Sequence, residues 1–531
     1  MKNASRRVFL GGLPALGSLA HVKVASGAPG RSADSERIDQ AYRIRMQSAS
    51  RNRDKGYPIP EQSPDERRHD GYVACFTKGL PHNERGEVDV AAYDRYLDAI
   101  ASGTLEAFNA LPMGGTVKLV DPLASYGFTL EGSDPWQCTL PAPPGIASQE
   151  GAAELIEVYW QALTRDIPFR EWDNHPLIQR AMRELSSIPQ FAGPKENGRV
   201  TLKTLFRGTT PGELVGPYVS QFFWKDIIYG VTPIAQKYRT TEPGSDHMIS
   251  VADWLAVQNG RPPVTAARFD STLRYIRNSR DLCIWDWRDF SYQGPLNAAL
   301  ILLGIPGALK SNQYSTSPSM GGFVIFGGPF VLDLVARVSN AALRAAWRQK
   351  WTLHRKLRPE EYAGLVHFQR EGQAKYPIES DFLLKSDAIA ESKLRHGTYL
   401  IPQAYPEGSP LHTSYPSGHA SIAGAAVTVL KALFREDMPI PNPVQATTDG
   451  LALEPWTGEP LTIGGELNKL ASNMGIARNI AGIHYLSDAM GGLALGEQVA
   501  ISILADTLPT LPFATDGLRF TSFSGREVFI G

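Results

Sequence analysis

Leu411-His412-Thr413-Ser414-Tyr415-Pro416-Ser417-Gly418-His419-Ala420 runs directly into Ser421-Ile-Ala-Gly-Ala-Ala-Val-Thr-Val-Leu-Lys-Ala-Leu-Phe434. The second stretch reads as a helix: Ala and Leu dominate, no proline interrupts it, and Ile422, Ala426, Val429 and Leu433 recur at helical spacing. Ser417, Gly418 and His419 therefore fall at or just before a helix N-terminus. There the first N–H groups lack intrahelical partners and the macrodipole is positive, which favours an anion. Ser417 offers a hydroxyl, Gly418 lets the backbone approach closely, and His419 offers a titratable imidazole. The plainer alternative is that Ser417 caps the helix and His419 packs; on this segment alone the two stand level.

The chain has 531 residues, enough for a large core and more than one average domain. A net charge of −1 gives no general case for nucleic acid as a partner. No apolar run is long enough to span a bilayer, and no repeat of fixed period is present. Cys75, Cys138 and Cys283 are the only cysteines, without C-x-x-C spacing. That argues against a zinc cluster and a disulfide framework, leaving one disulfide of unassigned pairing open. Ser5-Arg6-Arg7-Val8-Phe9-Leu10 ahead of the modestly apolar Gly11 to Ala20 has the pattern of a twin-arginine signal. Residues 1–30 are thus expected to direct export to the periplasm or beyond. Residues 31–65, polar and proline-bearing, are expected to form an extended arm, and 66–531 a single large helical domain.

Helices are expected over about Val88 to Phe108, from an N-cap at Ser148 through Thr164, over Pro176 to Leu185, and from Thr265 to Tyr292. Another begins near Val331 and continues through Lys350 and His354. Gly465 to Leu504 supplies two more, interrupted near Ala481-Gly482. Strand signals are weak throughout, so the fold class is mainly α-helical, with the long stretch 372–416 as a functional loop or a mixture of short elements.

Two further segments bring charge. In Lys350-Trp-Thr-Leu-His-Arg-Lys-Leu-Arg358-Pro359, a straight helix would set Lys350 and Arg358 about 80° apart in azimuth and roughly 12 Å apart along the axis. Pro359 disfavours helical geometry at Arg358 and is expected to end the helix there. In Ala477-Arg478-Asn-Ile-Ala-Gly-Ile-His484-Tyr-Leu-Ser-Asp488, His484 and Asp488 are i, i+4 neighbours if helical, so the carboxylate can orient the ring. Arg478 and His484 share no helix face unless the chain breaks at Gly482. Taken together, Lys350, Arg358, Arg478, Ser417, Gly418, His419 and His484 suit a multiply charged oxyanion, with the guanidinium forks matching its oxygens. An ordinary helix-end cation and a buried, satisfied histidine remain the alternatives for each segment taken singly.

The three-part pattern of K…RP, then PSGH, then R-x5-H-x3-D resembles the superfamily of vanadium-dependent haloperoxidases and type 2 phosphatidic acid phosphatase-like acid phosphatases. The eight-residue Lys350–Arg358 spacing and His412, seven before His419, favour the algal bromoperoxidase branch. Phe76-Thr-Lys-Gly-Leu-Pro-His82, Leu163-Thr-Arg-Asp-Ile-Pro-Phe169, Leu296 to Leu303, Glu407-Gly-Ser-Pro410 and Gly465-Glu-Leu-Asn-Lys-Leu470 look like red-algal bromoperoxidase segments. The likeness covers nearly everything after about residue 50, and the export signal suggests a bacterial homologue.

The resemblance implies a helical-bundle fold and vanadate(V) as cofactor, bound through His484 as metal ligand. It implies Lys350, Arg358, Arg478, Ser417 and Gly418 around the oxyanion, with His419 as general acid/base. It also implies hydrogen peroxide and a halide, bromide in the first instance, as substrates, a small organic acceptor of the oxidised halogen, and a homo-oligomer. Asp289 would orient His419 and His412 would tune it; an ion-pair member and a loop histidine are the respective alternatives. An acid phosphatase using the same pocket, with His484 as nucleophile, is the competing function.

Overall fold

The computed structural model describes residues 31–66 and 71–531, so the export signal expected in 1–30 lies outside the described residues. Contacts divide the chain after Ser50. Where an extended arm was expected, α1 (Arg31–Lys55) is a helix. No glycine or proline lies between Arg31 and Lys55 while Ala, Arg and Gln recur, so backbone propensity prevails over the polar composition. Within 31–65 the prolines begin only at Pro58.

The second unit carries α2 (Val90–Ser102), α3 (Leu105–Asn109), α4 (Gln149–Thr164), α5 (Pro176–Ser187), α6 (Val251–Gln258), α7 (Ser279–Arg288) and α8 (Gln293–Leu303). Then follow α9 (Gly328–Trp347), α10 (Pro359–Arg370), α11 (Asp387–His396), α12 (Gly418–Leu433), α13 (Ile463–Ile480) and α14 (Leu486–Thr507). The described strands form three antiparallel hairpins, Ile227–Tyr229 with Thr232–Ile234, Val444–Ala446 with Leu453–Pro455, and Leu518–Thr521 with Glu527–Ile530. The mainly α expectation holds. Among the described residues no helix is long and apolar enough to cross a membrane. The three cysteines are buried and unpaired.

Helix α12 is the centre. All its residues except His419 are buried, and α9, α13 and α14 pack around it. Helix α9 turns Val331, Leu334, Val335, Val338, Ala342 and Ala345 inward at helical spacing. Small residues set the α12–α14 separation: a methyl on Gly424 would lie 2.5 Å from the Leu493 carbonyl oxygen, and one on Gly496 2.2 Å from that of Ser421. The two backbones therefore touch, which holds the N-termini of α12 and α14 side by side.

Two helix expectations are corrected. The stretch from Val88 to Phe108 is two helices, because Gly103 takes φ +64° and closes α2 while Thr104 caps α3. The expected helix over Thr265 to Tyr292 is real only from Ser279 to Arg288. Residues upstream pair elsewhere: Arg274 and Tyr238 exchange backbone hydrogen bonds of 3.0 and 2.7 Å, and the Asn278 side chain caps α7 by accepting from Asp281 N at 2.8 Å. Tertiary partners have taken the hydrogen bonds a longer helix would have used.

Candidate active site

Lys350 and Arg358 do not lie on one straight helix. Helix α9 passes at Trp347 into a π-helical segment, Arg348–His354, which buries Gln349, Lys350 and Trp351. The chain then reverses at Arg355, whose φ is +29°. Pro359 does more than stop a helix: it is the first residue of α10, and its constraint on the preceding residue leaves Arg358 extended, with φ −77° and ψ 154°, as the N-cap. Glu361 accepts from Arg358 N at 3.0 Å and from Thr77 N at 3.0 Å, tying that turn to the Phe76–His82 segment. Its neighbour Glu360 accepts from Lys78 Nζ at 2.6 Å and Ser409 N at 2.7 Å, and so anchors the Glu407–Pro410 loop.

Arg358 is fully buried and reaches into this junction. Its Nε donates to the His412 carbonyl at 2.9 Å, and one terminal nitrogen donates to the Ile483 carbonyl and to His484 Nε2, both at 2.8 Å. The other lies 3.0 Å from His412 Nδ1. Burial lowers the Arg358 pKa to about 10. Lys350, also fully buried, donates to the carbonyls of Thr413 and Ser414 at 2.7 Å each. Burial, with Arg358 and Arg478 nearby, holds its ammonium well below the ordinary lysine value.

The chain breaks between α13 and α14 as Gly482 takes φ +92°, and this break brings Arg478 and His484 to the wall of one cleft. His484 Nδ1 lies 2.8 Å from Asp488 Oδ2, an acceptor, so that nitrogen carries the hydrogen. Its Nε2 accepts from Arg358 and therefore keeps a lone pair. Burial and the Arg358 charge push the imidazole well below its ordinary pKa, so it is neutral. Burial alone would raise Asp488, but Lys356 at 3.3 Å, His484 and the Ser414 hydroxyl hold it well below the usual carboxylate range. The Asp488 carbonyl accepts from Ser417 N at 2.9 Å, joining the two helix starts.

Ser417 caps α12, its Oγ accepting from Ala420 N at 3.3 Å, so the plainer alternative for this residue is present in the structure. Gly418 lines the cleft, where a Cβ would stand 3.3 Å from the Trp347 ring. His419 lies with its Nε2 3.0 Å from Asp289 Oδ1 and 4.0 Å from Asp286 Oδ1. Burial would lower its pKa, yet the two carboxylates outweigh it and hold the imidazole above its ordinary value. His412 tilts against Trp347, with ring centroids 4.9 Å apart, and burial lowers its pKa strongly. The cleft, of about 400 Å³, is lined by His412, Gly418, His419, Arg478 and His484 together with Asp286 and Asp289.

Sequence reasoning passed over Asp286. It bridges the site, 3.3 Å from Arg478 and 4.0 Å from His419, and burial raises its pKa to about 6. Its position three before Asp289 was the available signal, since one helical turn brings both to the same face. Lys356, wedged between Glu154 and Asp488 at 3.3 Å each, was also passed over. The donor set fits a tetrahedral or trigonal-bipyramidal oxyanion: Arg478 Nε is buried without a hydrogen-bond partner, and His484 offers a nitrogen lone pair beside a guanidinium.

Residues 390–508 match a family model described as the VCPO second helical-bundle domain. The chain is 34% identical over 519 residues to a vanadium-dependent bromoperoxidase of Ascophyllum nodosum, covering 93% of this chain and 92% of the relative. It is 34% identical over 539 residues to one of Corallina officinalis, covering 85% and 90%. A homohexameric structure of the second vanadate-dependent bromoperoxidase of Ascophyllum nodosum superposes with a TM-score of 0.89 at 30% identity, covering 96% of this chain and 95% of that one.

Proposed function

This chain belongs to the vanadium-dependent haloperoxidases, and from that premise we propose that it oxidises bromide with hydrogen peroxide in the cleft lined by the end of α7, α9, α12 and the α13–α14 connection. The overall conversion is bromide plus hydrogen peroxide plus one proton to hypobromous acid and water, and a small organic acceptor then takes the halogen. The observation that carries the reading is His484: Asp488 holds its Nδ1 hydrogen, leaving the Nε2 lone pair directed at buried cations.

Vanadate, when bound, supplies Lewis-acid polarisation of a peroxide oxygen. His484 Nε2, with its free lone pair, would hold it as the metal ligand. Arg358, Lys350, Arg478, Ser417 and the Gly418 N–H would surround the oxyanion and offset its charge. His419, kept protonated by Asp286 and Asp289, donates the proton that the reaction consumes. Asp289 positions that ring, and His412 lines the halide's approach beside Trp347. Burial of Lys350, Arg358, Arg478 and His484 strengthens each charge interaction.

The protein assembles as a homo-oligomer, as its hexameric relative does, and is exported through the Ser5-Arg6-Arg7 signal. The test compares peroxide- and bromide-dependent halogenation by vanadate-loaded protein with hydrolysis of an aryl phosphate by the vanadate-free form. Halogenation that His484→Ala abolishes, together with weakened vanadate retention, is expected. Wild-type turnover by His484→Ala at limiting vanadate would refute the assigned ligand, and phosphate hydrolysis without halogenation would refute the reaction.

A further inference from the structure

A second cavity, of about 430 Å³, matches the reaction cleft in size and is built from different elements. Its walls come from the segment after α4, the loop 202–218, the turn before α7 and the Val444–Pro455 hairpin with Trp456. It contains no histidine, cysteine, serine or lysine in its lining and one carboxylate, Asp173, which is exposed. The lining points to binding, since it offers no histidine, cysteine, serine or lysine to act on a bound molecule.

Two features define what it would hold. The first is charge. Arg170, Arg207 and Arg277 line it. Arg170 is paired with Glu454 at 2.6 Å and Arg277 with Asp281 at 3.3 Å. Arg207 differs. It is 6% exposed, its terminal nitrogens donate to the carbonyls of Glu213 at 2.7 Å and Gly216 at 3.1 Å, and its Nε is buried without a partner. Glu213 and Glu466 offset its charge from beyond ion-pairing distance, and burial outweighs them. A buried guanidinium normally has its charge matched. Here the match is partial, and the cavity leaves room for a further anion.

The second feature is aromatic surface. Phe169, Trp172, Tyr218 and Trp456 line the same space, with Phe169 and Tyr218 stacked at 4.6 Å. The indole N–H groups of Trp172 and Trp456 already donate to backbone carbonyls of Ile167 and Glu459, at 3.3 and 3.0 Å, so ring faces and edges are what they have left to offer. Arg207 lies over the Tyr218 ring at 5.1 Å, joining charge to the aromatic wall.

We propose that this cavity is a binding site for a planar aromatic carboxylate, its ring against Trp456 and Phe169 and its carboxylate toward Arg207. The proposal is independent of the reading of the reaction cleft. Benzoate is the probe, titrated calorimetrically into vanadate-loaded protein so that the other anion pocket is filled. Saturable benzoate binding is expected, with benzyl alcohol and acetate each about tenfold weaker or worse, because one lacks the charge-assisted hydrogen bond and the other the ring. Arg207→Gln and Trp456→Ala should each weaken benzoate by about tenfold. Trp456 is only half-buried, so its variant reports even if loss of the buried arginine unfolds the chain. Absence of saturable binding to the wild type overturns the proposal, as does unchanged benzoate affinity in Trp456→Ala.

Discussion

The sharpest perturbation of the site is Asp488→Asn, which keeps size and shape while removing one buried charge. Asp488 Oδ2 receives His484 Nδ1 at 2.8 Å, Tyr485 N at 3.2 Å and the Ser414 hydroxyl, and Oδ1 faces Lys356 Nζ at 3.3 Å. An asparagine can point its oxygen at the first three donors, but its amide nitrogen then meets the Lys356 ammonium, donor against donor. The His484 tautomer survives; the ring's basicity falls, because a carboxylate is replaced by a neutral acceptor. Loss of such an outer partner of a metal-ligating histidine weakens metal retention by about 10–100-fold, or about 1.4–2.7 kcal/mol. Lys356 keeps Glu154 at 3.3 Å, so destabilisation stays below the about 3–5 kcal/mol expected when a buried charge loses its only partner. Equilibrium dialysis of orthovanadate against wild type and variant, with urea unfolding alongside, measures both quantities. Retention within twofold of wild type in a folded variant would refute the argument that Asp488 tunes His484.

Asp289→Asn removes one of the two carboxylates that raise the His419 pKa, so the alkaline limb of the activity profile should move to lower pH. Because the folded-state value lies above the ordinary 6.5, the stability from this pair is full below about pH 6.5 and fades as pH rises through the raised value. The wild-type advantage in thermal unfolding should therefore narrow at alkaline pH; an advantage that grows there would contradict the assigned charge states. Lys78→Met strands the Glu360 carboxylate, which now receives Lys78 at 2.6 Å, and should lower unfolding free energy by about 3–5 kcal/mol in urea titrations. A loss below about 1 kcal/mol would show that Ser409 and the backbone suffice. Gly496→Ala sets helix propensity, which favours alanine by about 1 kcal/mol, against a contact of 2.2 Å with the Ser421 oxygen. Overpacking should win and lower the melting temperature; an increase would show that α12 and α14 can separate at little cost.

Much of this protein is local and was legible as such. The apolar run of α12, the Ser148 cap of α4, the break at Gly482 and the start of α5 at Pro176 each depend on a few neighbouring residues, and each stands where the pattern put it. The residue types of the candidate site were likewise readable, because Lys350, Arg358, Arg478 and His484 sit in recognisable spacings. Local patterns misled where distant segments compete for the same backbone groups. Residues 265–278 have helical spacing but form bridges to the chain around Tyr238 and Thr241 instead. The Leu518–Ile530 hairpin was not anticipated, since its pairing partner decides it more than its own composition does.

Sequence alone determined the helical class, the caps and the inventory of charged groups, because backbone propensity and hydrophobic period act over a turn or two. Tertiary structure decided where those charges point. The π-helical turn buries Lys350 against two carbonyls, the reversal at Arg355 swings Arg358 onto His484, and α7 delivers Asp286 between His419 and Arg478. Each of these depends on which surfaces meet across dozens to hundreds of residues, and at those separations electrostatics and packing choose the partners.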